Sequence, residues 1–535
     1  MEISKRVLAS VLLVGVAISV IAACGKRQAE PRPGGTVVIG LLSDPETLNP
    51  LVATSIESKD IIDLLFLKLV DEQSDFLNFD PSLAERWEFS EDSLSITFFV
   101  RQDLLWEDGE PVDAEDVRFT WELQIDTLVA WTGRSLKDRI EDVEVVDEHT
   151  VRFHFANRYP YQLMDANDGV ILPKHIVEKI PREKFRTSEF GRQPVGNGPF
   201  KLTRWVSDQH IELERNPLYY EEGRPVLDRV VYRVVPDMTT LITQLKTGEI
   251  DCLESIPVDA LTDIRESYPD IKIYSYLSRA QTFIAWNLDD PLFAEREIRR
   301  ALAMSINTTE IIQTLWGGMA EPGDSPMHPI LWAHDPSMKP IDFDPEEARQ
   351  IFEKHGWIDS DGDGFIEKNG SRFDFEMTTN QGVQLRADIA TMCQEYLRRV
   401  GIKVNPRIME FNTFIQGVLD GEFQSCVLGW EVGTRVDLTR YWKSTSKPPS
   451  GYNISGFNHP EADSLIDRAK NTLDPSEARP LWYRWQQIVY DEQPILFLAV
   501  PYKVVGLKKR FCGVEPNAIG FFVNLPEWYV SDDCR

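Results

Sequence analysis

Residues 494–502 read P-I-L-F-L-A-V-P-Y, a run near the C-terminus without a charged side chain. A short segment that is apolar throughout is typical of a strand covered on both of its faces. Residues 36–41, T-V-V-I-G-L, form a second segment of this kind close to the other end of the chain. Both predict buried strands in a sheet that other elements cover on each side.

Other segments predict an antiparallel strand and several helices. Residues 93–100, S-L-S-I-T-F-F-V, alternate apolar and polar side chains, which favours a strand with one face in water. Asp344-Pro345 and Asp474-Pro475 each precede a helical pattern, with Asp as the N-cap and Pro at the first helical position. Residues 295–306 place Ile, Ala and Leu at helical spacing. The mixture predicts the α/β fold class.

The composition limits the possible partners. The 535-residue chain has a formal net charge of −29 at pH 7. Nucleic acids and anionic membrane surfaces attract positive charge, so we expect neither nucleic acid nor an anionic surface as a partner. Because 42% of the residues are apolar, the chain can bury the cores of about two to four lobes. We expect a monomer.

The N-terminus predicts export. A basic start is followed by an apolar run and then by Ile21-Ala22-Ala23-Cys24, which resembles the lipobox of bacterial lipoproteins. We predict a signal peptide over 1–23, lipidation of Cys24 and a polar linker over 24–34, which hold the protein at the cell envelope. The predicted location is the periplasm or the outer face of the cytoplasmic membrane. An uncleaved anchor helix and a plain signal peptide remain alternatives.

The cysteines do not predict a zinc site, because none lies in a C-x-x-C pair or near a histidine at ligand spacing. Export permits disulfides, and Cys512 with Cys534 is the first pair to test. No phosphate-binding loop, H-E-x-x-H or G-x-S-x-G motif is present. We therefore expect no enzyme, although a secreted hydrolase with an unrecognised acidic pair stays an alternative.

One acidic stretch resembles a calcium loop. In D-S-D-G-D-G-F-I-E-K-N-G, residues 359–370, Asp359, Asp361 and Asp363 alternate around a glycine turn, and Glu367 occupies the ninth position. Gly370 stands at the twelfth position, where a bidentate Glu is usual. The stretch predicts a structural calcium ion or an acidic surface turn; we expect no other cofactor.

Taken in order, a set of motifs resembles one family over nearly the whole chain after the signal peptide. These motifs are G-G-T-V-V-I-G-L-L-S-D-P-E-T-L-N-P (34–50), R-Q-D-L-L-W-E-D-G-E-P-V-D-A-E-D-V (101–117), G-N-G-P-F-K-L-T-R-W (196–205), R-R-A-L-A-M-S-I-N (299–307) and Y-N-I-S-G-F-N-H-P-E-A-D-S-L-I (452–466). They resemble the extracytoplasmic solute-binding proteins of bacterial ABC importers, family 5, which include oligopeptide and dipeptide binders.

The resemblance implies a type II periplasmic-binding-protein fold, with two lobes around a cleft and an additional inserted domain. The implied division is lobe I over 35–78, 195–280 and 500–535, the inserted domain over 79–194, and lobe II over 281–499. Two crossing segments, near 279–288 and 495–503, would form the hinge. The implied function is non-catalytic capture of a peptide-like solute and its delivery to membrane permease subunits. A sugar, opine or metal-chelate receptor, or a sensor, remains an alternative.

The resemblance also directs attention to a candidate binding segment, L-G-W-E-V-G-T-R-V-D-L-T-R-Y-W-K-S (428–444). In the peptide binders an Asp three positions after the Trp meets the ligand's amino group, and Gly433 stands there in this chain. Arg435 could favour an anionic ligand, Asp437 could supply the missing carboxylate, or the two could pair with each other. The other predicted cleft residues are Trp286, Asn287, Trp430 and Asn453.

Overall fold

The computed structural model describes residues 34–534. The predicted signal peptide, Cys24 and the linker before Gly34 lie outside the described residues. Within the described part of the chain, no helix combines the length and the apolar character that a bilayer crossing requires.

The strands follow one another along the chain as β1 Thr36–Leu41, β2 Val70–Glu72, β3 Phe79–Pro81, β4 Ala84–Phe89, β5 Ser95–Val100, β6 Ile140–Asp147, β7 Thr150–Phe155, β8 Phe200–Val206, β9 His210–Arg215, β10 Arg229–Val234, β11 Cys252–Leu253, β12 Ile271–Leu277, β13 Ala280–Trp286, β14 Ala320–Pro322, β15 Glu367–Lys368, β16 Ser371–Arg372, β17 Asp374–Asn380, β18 Lys403–Met409, β19 Ser425–Glu431, β20 Ile495–Lys508, β21 Phe511–Cys512 and β22 Tyr529–Val530.

The α-helices are α1 Ile56–Leu65, α2 Ala114–Ile125, α3 Gln162–Asn167, α4 Lys174–Val177, α5 Met238–Thr247, α6 Val258–Ser267, α7 Arg296–Met304, α8 Thr308–Trp316, α9 Pro345–Lys354, α10 Gln384–Arg399, α11 Phe411–Leu419, α12 Thr439–Trp442, α13 Pro460–Ala469 and α14 Pro475–Glu492. Short 3-10 turns occupy Arg134–Lys137, Arg182–Thr187, Glu189–Gly191, Pro291–Phe293, Ser444–Ser446, Leu525–Glu527 and Asp532–Cys534.

β20 connects the two halves of the main sheet. The sheet runs in the order β18-β17-β19-β13-β20-β11-β1-β10-β9-β8, and β12 and β14 also pair with β20. The first part of β20, Ile495–Ala499, pairs with β13, and its second part, from Tyr502 to Lys508, pairs with β12. The first six residues of β20 are buried, as the apolar run predicts.

The chain crosses between the halves where β20 changes partners. The Pro501 carbonyl accepts hydrogen bonds from both the amide and the hydroxyl of Ser278, at 3.0 and 2.7 Å. Ser278 lies between β12 and β13, so the two crossing segments meet at this point. The crossing lies at or within one residue of the two segments expected to form the hinge.

The hydrophobic cores differ between the lobes. Lobe II contains two clusters of buried side chains, one of them around Trp442 and Trp485. Lobe I shares one large cluster with the four-stranded sheet β4-β5-β7-β6 of the inserted domain. The inserted domain is therefore continuous with the core of lobe I, while the domain boundaries themselves stay predictions.

The local predictions hold at most positions. Asp344 and Asp474 cap α9 and α14 by accepting the amides of Glu347 (2.9 Å) and Ser476 (2.8 Å). Alternate residues of β5 are buried. Leu94 is the exception, because it precedes the strand and is 38% exposed.

Candidate ligand-binding site

An aromatic cavity of about 180 Å³ lies on lobe II beside the crossing and brings together three of the predicted residues, Trp430, Arg435 and Asp437. Trp430 is at the end of β19, and its ring centroid lies 4.2 Å from that of Phe283 and 5.5 Å from that of Tyr441. We call this surface, with Gly433, Tyr441 and Trp442, the aromatic wall. Its rings offer rigid apolar area to a ligand.

Arg435 spans from lobe II to the inserted domain. Its guanidinium pairs with Asp165 (2.9 Å) and with Asp168, at the end of α3. Next to it, the Tyr161 hydroxyl donates to the Val436 carbonyl at 2.9 Å. These contacts close one side of the aromatic wall with the inserted domain.

The pairing of Arg435 corrects one sequence-based alternative. Arg435 and Asp437 do not pair with each other, because Arg435 faces two carboxylates of the inserted domain. The exposed Asp437 instead accepts the amide of Thr439 at 2.9 Å, at the start of α12. Lys137, a second cation nearby, is also engaged, since it is buried and donates to the Asp168 carbonyl at 2.9 Å. Burial lowers the pKa of Lys137 to about 8.

Three predicted cleft residues make structural contacts, and a role for them in ligand binding stays a prediction. Trp286 is fully buried in lobe II, with its ring centroid 5.4 Å from that of Phe293, because β13 has already entered the core there. Asn287 donates to the carbonyls of Gly421 and Phe423 and so fixes a loop. Asn453 is 1% exposed and bonds to Lys443 and Phe457. For Trp286 and Asn287, proximity in sequence to the crossing did not show whether the side chain faces the cleft.

The acidic loop brings its three aspartates together. Carboxylate oxygens of Asp359, Asp361 and Asp363 lie within 4.8 Å of one another and are exposed. Asp363 also forms an ion pair with Arg372. Glu367 accepts the amide of Ser360 at 2.9 Å, so its carboxylate holds the loop in this arrangement. Calcium binding here stays a prediction.

Sequence reasoning missed a group of carboxylates on lobe I, which we call the acidic wall: Glu57, Asp60, Asp63 and Glu254. The first three lie on α1, and Glu254 directly follows β11. Tyr276 donates to Glu254 at 3.3 Å, and Tyr276 is the register partner of Lys503 on β20. Lys503 is two residues after Pro501, so the acidic wall lies close to the crossing. The one sequence signal for the acidic wall was the three-residue spacing of Glu57, Asp60 and Asp63, which is not distinctive in a chain rich in acidic residues.

Two carboxylates of the acidic wall, Asp60 and Glu254, lie in an environment that disfavours their ionisation. Burial, followed by the charges of Glu254 and Asp63, raises the pKa of Asp60 to about 8, and Lys503 opposes the rise. Burial also raises the pKa of Glu254. Carboxylates crowded in this way gain from a nearby cation.

Asp60 and Asp63 also line a cavity of about 260 Å³ with Asp71 and Glu72. Burial raises the pKa of Glu72, and the charges of Lys68 and Arg435 oppose that rise. Arg435 belongs to the aromatic wall, so Glu72 lies where the two walls approach each other. Phe522 and Val523, from the C-terminal segment, form the apolar side of this cavity.

A disulfide closes the C-terminal segment of lobe I. Cys512 and Cys534 are bonded, with their Cα atoms 5.8 Å apart, as the sequence suggested for this pair. Cys252, Cys393 and Cys426 are buried free thiols.

Two lobes joined by crossing strands are the architecture of bacterial extracytoplasmic binding proteins. A family model described as bacterial extracellular solute-binding proteins, family 5 Middle, matches residues 78–452, and the chain belongs to this family. This membership confirms the type II fold expected from the motifs.

Relatives resemble the chain over nearly its full length. It is 30% identical over 514 residues to the oligopeptide-binding protein AppA of Bacillus subtilis, covering 95% of this chain and 93% of the relative. It is 28% identical to a putative ABC transporter peptide-binding protein of Brucella ovis, over 80% of each chain. The solved structure of Bacillus subtilis AppA in complex with a nonapeptide superposes with a TM-score of 0.71 at 28% identity, over 94% of this chain and 100% of that one.

Proposed function

We propose that this protein is a non-catalytic receptor that binds a peptide or peptide-like solute between the aromatic wall and the acidic wall and delivers it to the permease subunits of an ABC importer. The observation that carries the proposal is the position of the aromatic cavity, which lies beside the strand crossing and is closed on one side by the inserted domain. A hinge at the crossing would let the two walls enclose a ligand. The names of the AppA and Brucella relatives support a peptide.

The proposal includes a membrane tether. Lipidation at Cys24 would hold a monomeric receptor at the outer face of the cytoplasmic membrane or in the periplasm, near its permease. Tethering raises the effective concentration of the receptor at the permease without a new interface. Substitution Cys24→Ser should release the protein from the membrane fraction, and retention there would contradict the anchor.

The acidic loop would have a structural role. A calcium ion on Asp359, Asp361 and Asp363 would fasten the loop after α9 without touching the solute. Thermal unfolding with calcium and with a chelator tests this, and Asp361→Asn should remove any difference. An unchanged midpoint in both conditions would show that the loop is an acidic turn.

Native mass spectrometry of the purified protein tests the function. We expect a bound peptide-sized mass that is released intact, and binding should raise the free energy of unfolding by about 2.7 kcal/mol at 100 times the dissociation constant. Pools of synthetic peptides incubated with the protein should be recovered uncut. Cleavage of these peptides would contradict a receptor and favour the hydrolase, whereas absence of any peptide binding would contradict the proposed solute class.

A further inference from the structure

Two cations beside the aromatic wall, Arg435 of lobe II and Lys137 of the inserted domain, are already engaged. Arg435 pairs with both Asp165 and Asp168, so an anionic ligand would have to displace two carboxylates to reach it. Lys137 is buried against backbone carbonyls. An ion pair with two partners is costly to break when it is partly buried. The aromatic wall therefore supplies surface and shape but no available positive charge from these two residues.

The acidic wall presents the opposite situation. Among the groups that act most strongly on Asp60, three carboxylates oppose its ionisation, and one lysine, Lys503, favours it. Burial raises the pKa of Glu254, Lys503 opposes that rise, and the charge of Glu57 adds to it. The pleat of β12 and β20 places Tyr276 and Lys503 on one face, next to Glu254 and the helix α1. The carboxylates of the acidic wall are therefore gathered beside the crossing, next to Tyr276 and Lys503.

A separate observation comes from a neutral group. Tyr232 on β10 is 1% exposed, and within residues 34–534 its hydroxyl oxygen has no hydrogen-bond partner. The hydroxyl lies close enough to Asp60 and Glu254 for both charges to raise its pKa, in addition to burial. A buried hydroxyl without a partner is unfavourable, and it can accept a hydrogen bond from an ammonium or guanidinium group.

We propose that the solute carries a cationic group and that the acidic wall of lobe I, through Asp60 and Glu254 with the hydroxyl of Tyr232, is its binding subsite. The inference rests on the proposed function, because it names the charge of the solute that the receptor binds. The proposal also accounts for Gly433, which stands where the peptide binders carry an Asp. In this chain the carboxylates that bind positive charge would lie on lobe I instead of lobe II.

Two sources can provide the charge, a basic side chain or a free amino terminus. Four pools of alanine pentapeptides distinguish them: one lysine placed at each position in turn, norleucine at the same positions, and both sets N-acetylated. Calorimetric titration of the wild type should give at least about tenfold tighter binding for a pool that keeps the relevant ammonium than for its matched neutral pool.

The variants Asp60→Asn and Glu254→Gln assign that preference to the acidic wall. Each should weaken the preferred pool about tenfold and leave the neutral pools within about twofold, which also shows that the variants are folded. Glu353→Gln, which removes one charge from the exposed side of α9, is the matched control and should change nothing.

Each result decides the inference. A charge preference that is lost in Asp60→Asn and Glu254→Gln supports it. Equal binding of all four pools to the wild type overturns it and leaves the peptide receptor intact. A preference that survives in both variants overturns the assignment to the acidic wall. If no pool binds, both the cationic peptide and the proposed peptide receptor are wrong.

Discussion

The two walls beside the crossing differ in chemistry. The aromatic wall of lobe II consists of Trp430, Tyr441 and Trp442, and its arginine is already paired across to the inserted domain. The acidic wall of lobe I contains Asp60 and Glu254, whose pKa values are raised by burial and by neighbouring carboxylates. The contrast separates two tasks: one wall provides apolar contact for varied solutes, and the other selects charge.

The largest effect should come from breaking the contact that joins lobe II to the inserted domain. Arg435→Met removes the ion pairs of Asp165 and Asp168. Because Asp165 is buried, we expect a loss of about 3 kcal/mol in the free energy of unfolding measured in urea.

Adding Asp165→Asn and Asp168→Asn to Arg435→Met should restore most of this stability, because no carboxylate then lacks a partner. If Arg435→Met is as stable as the wild type, the ion pairs of Arg435 with Asp165 and Asp168 do not contribute to stability.

Trp430→Ala tests the aromatic wall. Its ring packs on Phe283 and faces the cavity, so we expect all four peptide pools to lose about 2 kcal/mol of binding free energy, irrespective of charge. Titration calorimetry measures this, with Trp430→Phe as the milder control. A loss confined to the lysine pools would show that the aromatic wall selects charge, which would contradict the assignment to the acidic wall.

The pH dependence of binding tests the acidic wall. The pKa of Asp60 is raised from 3.8 to about 8, so the unliganded protein holds a proton there at neutral pH, and a bound cation must displace it. The groups around Asp60 are Glu57, Asp63, Glu254, Lys503, Tyr232 and Tyr276.

Affinity for the N-acetylated lysine pool should therefore rise about tenfold or more from pH 6.5 to pH 8.5 and then level off, since the lysine itself stays charged. Asp60→Asn should flatten the profile. A wild-type affinity that falls with rising pH would contradict the proton displacement.

Gly433→Asp would give the aromatic wall the carboxylate that it lacks. A Cβ atom at this position meets no other atom within 4 Å, so the side chain has space. We expect the preference for free over acetylated amino termini to increase about fivefold in peptide titrations. An unchanged preference would place the amino terminus of the ligand elsewhere.

The smallest effect should come from Asp437→Ala. The carboxylate of Asp437 accepts the amide of Thr439 at the start of α12 and is exposed, so its removal should change lysine-pool affinity by less than about twofold. A tenfold loss of lysine-pool affinity would show that Asp437, on lobe II, binds the positive charge.

The sequence alone determined the elements and the class. The apolar run at 494–502 became the shared strand β20, and the Asp-Pro pairs became the caps of α9 and α14. These features depend on local patterning, which residues a few positions apart establish. The ordered motifs indicated the family because they are spread from residue 34 to residue 466, and the family model matches residues 78–452.

Only the tertiary structure decided which residues face the cleft. Trp286 and Asn453 entered the core, while Asp60 and Glu254, nearly two hundred positions apart, came together across α1 and the end of β11. The pairing of Arg435 with Asp165 likewise joins segments that are distant in sequence. Side-chain burial and charge pairing depend on how sheets and helices pack over such distances, and periodicity along the chain carries no information about those contacts.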